Sequence, residues 1–261
     1  MDELQRFRLD GRVAMVAGAS GGIGRRASVA LASVGAQVVL VGRSADRLAD
    51  VRRLVESAGG NALPITGDMT RSDDADLAVA TTVERFGRID ILVNAIGGGA
   101  GRVLFPAESY PLTEWNWIFD LNLASTVLPS QAAAREMIKR GSGGRVLNLS
   151  SVRGRLGIDA GYSAYVAAKG AVEALTRQYA TEWAKYGITV NAISPTFVRT
   201  EQVASLLADQ GFYDRLVARI PLGRIAEPDD LIGAILFFCS DASSFVTGQT
   251  LTLDGGLTAT Q

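Results

Sequence analysis

Short apolar runs alternate along this chain with longer stretches in which apolar residues recur every three or four positions. The first run, Arg12-Val13-Ala14-Met15-Val16-Ala17, ends at a glycine, and residues 22–34 then follow helical spacing. Runs at 36–41, 62–66, 89–94, 145–149, 188–193 and 249–253 predict further strands. Helical patterns at 45–57, 73–86, 113–140, 162–186 and 228–240 fill the intervals, and Ser44 stands where it can cap the first of these. Strands that read as continuous apolar runs are covered on both faces. Regular alternation of strand and helix implies parallel strands joined by right-handed crossovers. The pattern therefore predicts an α/β fold, a doubly wound parallel sheet of about seven strands with helices on both faces. A ligand is expected beyond the carboxyl ends of those strands. No repeat, long charge run or linker interrupts it, and Gly97-Gly98-Gly99-Ala100-Gly101 reads as a flexible loop.

A length of 261 residues suits one large domain, residues 1–261, and the hydrophobic share of 48% supplies a substantial core. Lys and Arg number 26 against 27 Asp and Glu, which argues against binding nucleic acid through phosphate neutralisation. The first residues lack the basic-then-apolar layout of a signal peptide, and the apolar stretch 231–239 is too short to span a bilayer. A soluble, cytoplasmic protein without a membrane partner is expected. The lone cysteine, Cys239, excludes an internal disulfide and favours a reducing compartment. The complete lack of histidine changes the picture most. It excludes imidazole acid–base chemistry and, with one cysteine, leaves no ordinary catalytic zinc site, so no metal is expected.

Three segments carry candidate chemistry. Ala17-Gly18-Ala19-Ser20-Gly21-Gly22-Ile23-Gly24 joins the first strand to the first helix, where backbone amides and a helix N-terminus can hold a pyrophosphate. Gly18 permits the turn, and Gly22 and Gly24 permit close approach; tight strand-to-helix turns also need glycine for their own sake. The second strand ends in Gly42-Arg43-Ser44, where NAD sites usually place a carboxylate. Arg43 suits a 2′-phosphate, which favours NADP over NAD, although a solvated loop arginine is the alternative. Ser44 can donate to that phosphate or simply cap the helix.

Tyr165-Val166-Ala167-Ala168-Lys169 places a phenol and an ammonium on one helix face. A free tyrosine titrates near ~10, and bringing it to about 7 takes roughly 4 kcal/mol, which a nearby lysine and a nicotinamide cation can supply in a partly dry site. The pair would give a chain without histidine its proton carrier; an exposed, inert Tyr and Lys is the alternative. Ser150 and Ser151 end a strand at the same edge, where a hydroxyl can polarise a substrate oxygen.

Together these motifs, in this order over residues 9–257, resemble the short-chain dehydrogenase/reductase family of the compact one-domain kind, and that resemblance implies a Rossmann-like fold. It further implies cofactor contacts from Gly18, Ser20, Gly22, Ile23 and Gly24, with Asp68 on the adenine amine beside Met69. Asn94-Ala95-Ile96-Gly97 stands where the family usually reads Asn-Asn-Ala-Gly; Asn94 and Gly97 match. Pro195, Val198 and Thr200 would hold the carboxamide end, with Thr196 in place of a usual glycine. Asn122 matches the helix asparagine whose backbone carbonyl holds a water linking the lysine to solvent. Ser151, rather than Ser150, matches the substrate-orienting serine, Tyr165 the general acid/base, and Lys169 the residue that bonds the nicotinamide ribose and lowers the tyrosine pKa.

The implied reaction is reversible hydride transfer between NADP(H) and a ketone or secondary alcohol. The resemblance is greatest to 3-oxoacyl-carrier-protein reductases and to gluconate-type sugar-acid dehydrogenases, with a slight lean to the first. Arg102, Arg153 and Arg155 can meet an anionic substrate or can be surface charge. A non-catalytic dinucleotide sensor or scaffold is the rival from another class, although it would tend to lose the Ser, Tyr or Lys. The family resemblance also implies a homotetramer, with a dimer as the alternative, paired through the long helices at 113–140 and 162–186 and with residues 245–257 at another contact.

Overall fold

The computed structural model describes residues 3–99 and 104–259; Arg102 and the end of the glycine-rich loop lie outside them. Seven strands, β1 (Val13–Ala17), β2 (Gln37–Gly42), β3 (Asn61–Thr66), β4 (Ile91–Asn94), β5 (Gly144–Leu149), β6 (Ile188–Pro195) and β7 (Thr250–Leu253), form one sheet in the order β3-β2-β1-β4-β5-β6-β7. All six pairings are parallel. The strand order reverses between β1 and β4, which opens a crevice at their carboxyl ends. Pro64 lies in β3, at the sheet edge, where a missing N–H is tolerated.

Every residue of β1 is buried, and successive side chains enter different cores. Ala14 and Val16 pack with helices α1 (Gly22–Ser33), α2 (Ala45–Ser57) and α9 (Ile232–Cys239). Val13, Met15 and Ala17 pack with α3 (Ser72–Phe86), α5 (Ser125–Arg140) and α6 (Ser163–Trp183). The period of two along each strand thus feeds two apolar layers. At the far end of the sheet, buried Asp90 accepts from the Val13 amide at 2.9 Å and pairs with Arg88 and Arg140 at 2.6 Å. Cys239 is buried, and burial pushes its thiol up to about 12, which leaves it inert.

The pattern at 113–140 predicts one helix, but the chain forms α4 (Leu112–Phe119), a π-helical turn over Asp120–Ala124, and then α5. Pro129 has no N–H to give the preceding turn. One turn earlier, the hydroxyls of Ser125 and Thr126 donate to the carbonyls of Leu121 and Asn122 at 2.6 and 3.3 Å. Such turns gather at functional sites, and this one carries Asn122. Between β6 and α9, two short helices that the pattern does not predict, α7 (Ala204–Leu207) and α8 (Gln210–Val217), build a small apolar cluster with Val152 and Leu257.

Candidate functional site

The carboxyl ends of β1, β4, β5 and β6 converge on one cleft. After β1, Gly18 turns the chain at φ +85°, a backbone that favours glycine. A Cβ on Gly24 would run into the Gly18 carbonyl oxygen, and one on Gly22 would lie 2.6 Å from Thr200 Cγ2. Gly21 precedes α1 without any side-chain cap, and the first turn carries no acid, so its free amides suit a phosphate. Ile23 packs into the core beneath. These glycines leave a cradle that side chains would fill, and a dinucleotide pyrophosphate fits the donors there.

At the end of β2 a Cβ on Gly42 would meet Ser20 Oγ at 3.1 Å, so a carboxylate at this position would crowd the cradle. Arg43 is exposed beside it. Ser44 accepts from the Arg47 amide at 3.4 Å and caps α2. Asp68 accepts from the Thr70 amide and hydroxyl at 3.0 and 2.8 Å. Burial would raise its pKa, but those bonds and the charges of Arg43 and Arg71 outweigh it and hold the carboxyl below the usual range. Met69 beside it is buried.

The wall after β4 is built from β4 and the π-helical turn. The Asn94 side chain does not face the cleft; it donates to Ser130 Oγ and Asn148 Oδ1 at 2.8 and 2.9 Å, which ties β4 to α5 and β5. Any contact of Asn94 with a ligand therefore falls to its backbone. Ala95 donates its amide to Ala17 O at 2.8 Å, so the departure from the usual family letters keeps the turn. The Asn122 amide clamps Gly98, accepting from its N–H at 2.8 Å and donating to its carbonyl at 3.0 Å. The expectation for Asn122 concerned its backbone carbonyl; the side-chain clamp is a second task, and a mid-helix asparagine was its only sequence signal. A Cβ on Gly97 would sit 2.8 Å from Lys169 Nζ, so glycine keeps the space beside the ammonium open.

The opposite wall begins at Pro195, which ends β6. Thr196 keeps a negative φ, so this turn is made without the conformation a glycine would allow. Val198 is buried and bridges to Ala226. Thr200 lies against Gly22, Gln202 Nε2 donates to Gly97 O at 3.5 Å, and Glu201 pairs with Arg47 at 2.7 Å. Arg47 also donates to Ser20 O at 3.0 Å. The segment 200–202 thus touches both rims of the cleft, and neither Arg47 nor Glu201 stood out in the sequence.

After β5, Ser150 and Ser151 diverge. Ser150 Oγ turns to α6, its one proton shared between Lys169 O and Glu173 Oε1 at 3.1 and 3.3 Å. Ser151 accepts from the Arg153 amide at 3.2 Å, and its hydroxyl stands near enough to Tyr165 to favour the ionised phenol. Burial raises the Tyr165 pKa above its usual value, opposed by the Ser151 hydroxyl and the Arg153 charge. Lys169, one helical turn on, is 2% exposed and donates to Leu149 O at 2.9 Å. Its Nζ stands 5.8 Å from the Tyr165 ring centroid, and burial pulls its pKa from 10.5 to about 8. In the cofactor-free protein the Arg153 charge also acts on Tyr165, beside the Lys169 ammonium one helical turn away. Among the described residues, no group of three or more His, Cys, Asp or Glu is placed to hold a metal ion.

The family model described as enoyl-(acyl carrier protein) reductase matches residues 18–258. Gluconate 5-dehydrogenase of Gluconobacter oxydans is 39% identical over 252 residues, covering 97% of this chain and 96% of its own. The chain belongs to the short-chain dehydrogenase/reductase family. Another member, 3-oxoacyl-[acyl-carrier-protein] reductase of a Synechocystis species, is 36% identical over 95% of this chain and 98% of its own. A solved member, the gluconate 5-dehydrogenase of Burkholderia cenocepacia in complex with NADP and tartrate, superposes with a TM-score of 0.92 at 37% identity, covering 99% of each chain. As a short-chain dehydrogenase/reductase, this protein is an oxidoreductase with a seven-stranded parallel sheet, helices on both sides and its candidate residues at the strand ends. No helix among the described residues is long and apolar enough to cross a membrane.

Proposed function

We propose that the protein transfers hydride reversibly between NADP(H) and a ketone or secondary alcohol, with Tyr165 as general acid/base. The observation that carries this reading is the convergence of Ser151, Tyr165 and Lys169 beside a glycine cradle. When bound, the cofactor supplies or accepts the hydride. The free amides at the start of α1 would hold its pyrophosphate, Asp68 its adenine, and residues 195–200 its carboxamide end. Ser151 Oγ holds the substrate oxygen, and Tyr165 Oη gives that oxygen its proton as the carbonyl carbon is reduced. A phenol kept neutral by burial is the form that donates. Lys169 has two ammonium protons beyond its bond to Leu149 O, which suit the ribose and the relay of replacement protons past Asn122.

NADP rather than NAD is supported by Gly42, which offers no carboxylate, and by Arg43 beside it. Arg43→Ala weakens NADPH binding about tenfold or more and leaves NADH binding unchanged. Fluorescence titration of both cofactors measures this; equal or tighter NADH binding by the wild type contradicts the assignment. A panel of ketones and alcohols, followed by NADPH absorbance, tests the reaction. Silence across the panel with intact cofactor binding favours a sensor. Relatives of the acyl-carrier and sugar-acid kinds match at similar identity, and both substrates fit this reaction.

A homotetramer paired through α5 and α6 completes the reading. Tyr179 and Trp183 stack at 4.1 Å along an open groove shared with Ala134 and Ile138. Light scattering at micromolar concentration gives about four times 27.5 kDa, and a monomer refutes it.

A further inference from the structure

Two arginines follow Ser151 closely, and the structure gives them different surroundings. Arg155 Nε is paired with the buried Glu173 at 2.7 Å. Arg153, on the turn Val152–Gly154, is only 7% exposed, and among the described residues no carboxylate pairs with it. Its Nη1 donates to Gly157 O at 3.0 Å, which occupies one donor of a five-donor fork. Tyr162, Tyr165 and Arg219 lie near enough for their charges to act on it, the last a like charge. Arg219 follows α8, whose Leu216 shares an apolar cluster with Val152, so both arginines adjoin that cluster.

A cation held out of water without a counter-charge, and near a second cation, is costly by itself. Nothing in the packing of the sheet requires it: Val152, not Arg153, joins the apolar cluster under α8. The glycine cradle lies after β1, whereas Arg153 stands past β5 beside the hydroxyls of Ser151 and Tyr165. The missing negative charge therefore belongs with the substrate rather than with the cofactor phosphates.

We propose that Arg153, with Arg219 at the rim, is a specificity-determining residue that receives a carboxylate of the substrate, so that the protein acts on oxo and hydroxy acids rather than on acyl thioesters. This rests on the hydride-transfer reading and narrows it. An uncharged thioester brings no counter-ion to the fork, whereas a carboxylate matches its paired N–H groups and restores neutrality where the site is drier.

The test is calorimetric titration of the NADPH-loaded protein with L-tartrate and 3-hydroxybutyrate, each against its methyl ester. The wild type binds at least one free acid about tenfold or more tighter than its ester. In Arg153→Gln that ratio falls to within about twofold, and in Arg153→Lys part of it returns, because a point charge replaces the fork. A wild type that does not separate acid from ester, or that binds neither, overturns the proposal, as does an Arg153→Gln protein that keeps the full ratio. If Arg153→Gln does not fold, the wild-type ratio and the Arg153→Lys protein decide alone. The readout is binding, so it does not depend on turnover. Loss of NADPH binding or silence in the ketone panel strikes the hydride-transfer reading instead.

Discussion

Tyr165→Phe lowers kcat by about 10²–10⁴-fold while NADPH binds as tightly as to the wild type. The variant removes one oxygen and nothing else. The ring stays in an aromatic cluster with Phe105, Tyr110, Trp115 and Phe119 against Ile118, Ala164 and Ala168, and it keeps its edge contact with Tyr162 at 6.4 Å. The lost hydroxyl stands beside Ser151, past β5, whereas the glycine cradle follows β1. A histidine-free chain has no imidazole to take over, so the loss is not rescued by a neighbour. Steady-state kinetics with any ketone from the panel, together with cofactor titration, measure both halves of the prediction. Kinetics like those of the wild type remove Tyr165 from the mechanism.

Lys169→Met is expected to separate activity from stability. Turnover falls by a comparable 10²–10⁴-fold, because the ammonium that faces Gly97 and the relay is gone. Stability does not follow. Burial lowers the lysine pKa from 10.5 to about 8, so keeping the folded side chain charged costs about 3 kcal/mol. Methionine avoids that cost and forfeits the bond to Leu149 O, worth about 1–3 kcal/mol when left unmade. At pH 7 the variant is therefore as stable as the wild type or up to about 2 kcal/mol more so. As pH rises from about 8 towards 10.5, the folded wild type sheds its proton before the unfolded chain does. The wild type is stabilised over that window and the variant is not, so any advantage of the variant shrinks. Urea unfolding of both proteins across pH 7–10.5 follows this. A variant strongly destabilised at pH 7, or one whose difference from the wild type is flat with pH, contradicts the account of Lys169 as a strained, functional cation.

The sheet was legible because each strand is an apolar run of its own length, and β1 shows why: both of its faces are buried, so nothing polar interrupts it. The glycine cradle and the Tyr165–Lys169 pair were legible because backbone conformation and helix spacing restrict them strongly. Periodicity could not reveal the π-helical turn, which depends on hydroxyls of Ser125 and Thr126 bonding backward and on Pro129, none of which alters the apolar stripe. The contacts of Arg47 with Glu201 and Ser20 join residues far apart in sequence, so local spacing carried no trace of them. For the same reason local spacing paired Tyr165 with Lys169, four residues away, but carried no trace of Arg153, whose charge reaches the same phenol from another element. Arg153 and Arg155 look alike in sequence; the fold buries the first and gives the exposed second a partner, Glu173, brought in by α6.

The central claim is that cofactor binding turns a phenol that burial keeps protonated into one that exchanges its proton near neutrality. Carbon-13 NMR of protein labelled at the tyrosine ring carbon that bears the hydroxyl, with Tyr165→Phe used to assign the signal, measures this ionisation directly. Without cofactor, Tyr165 ionises above the free value of ~10, as its burial requires. With NADP⁺ bound, the same signal ionises well below ~10, and the drop is smaller in Lys169→Met. A Tyr165 signal that ionises in the NADP⁺ complex no more easily than in a free peptide, and is indifferent to Lys169, contradicts the account.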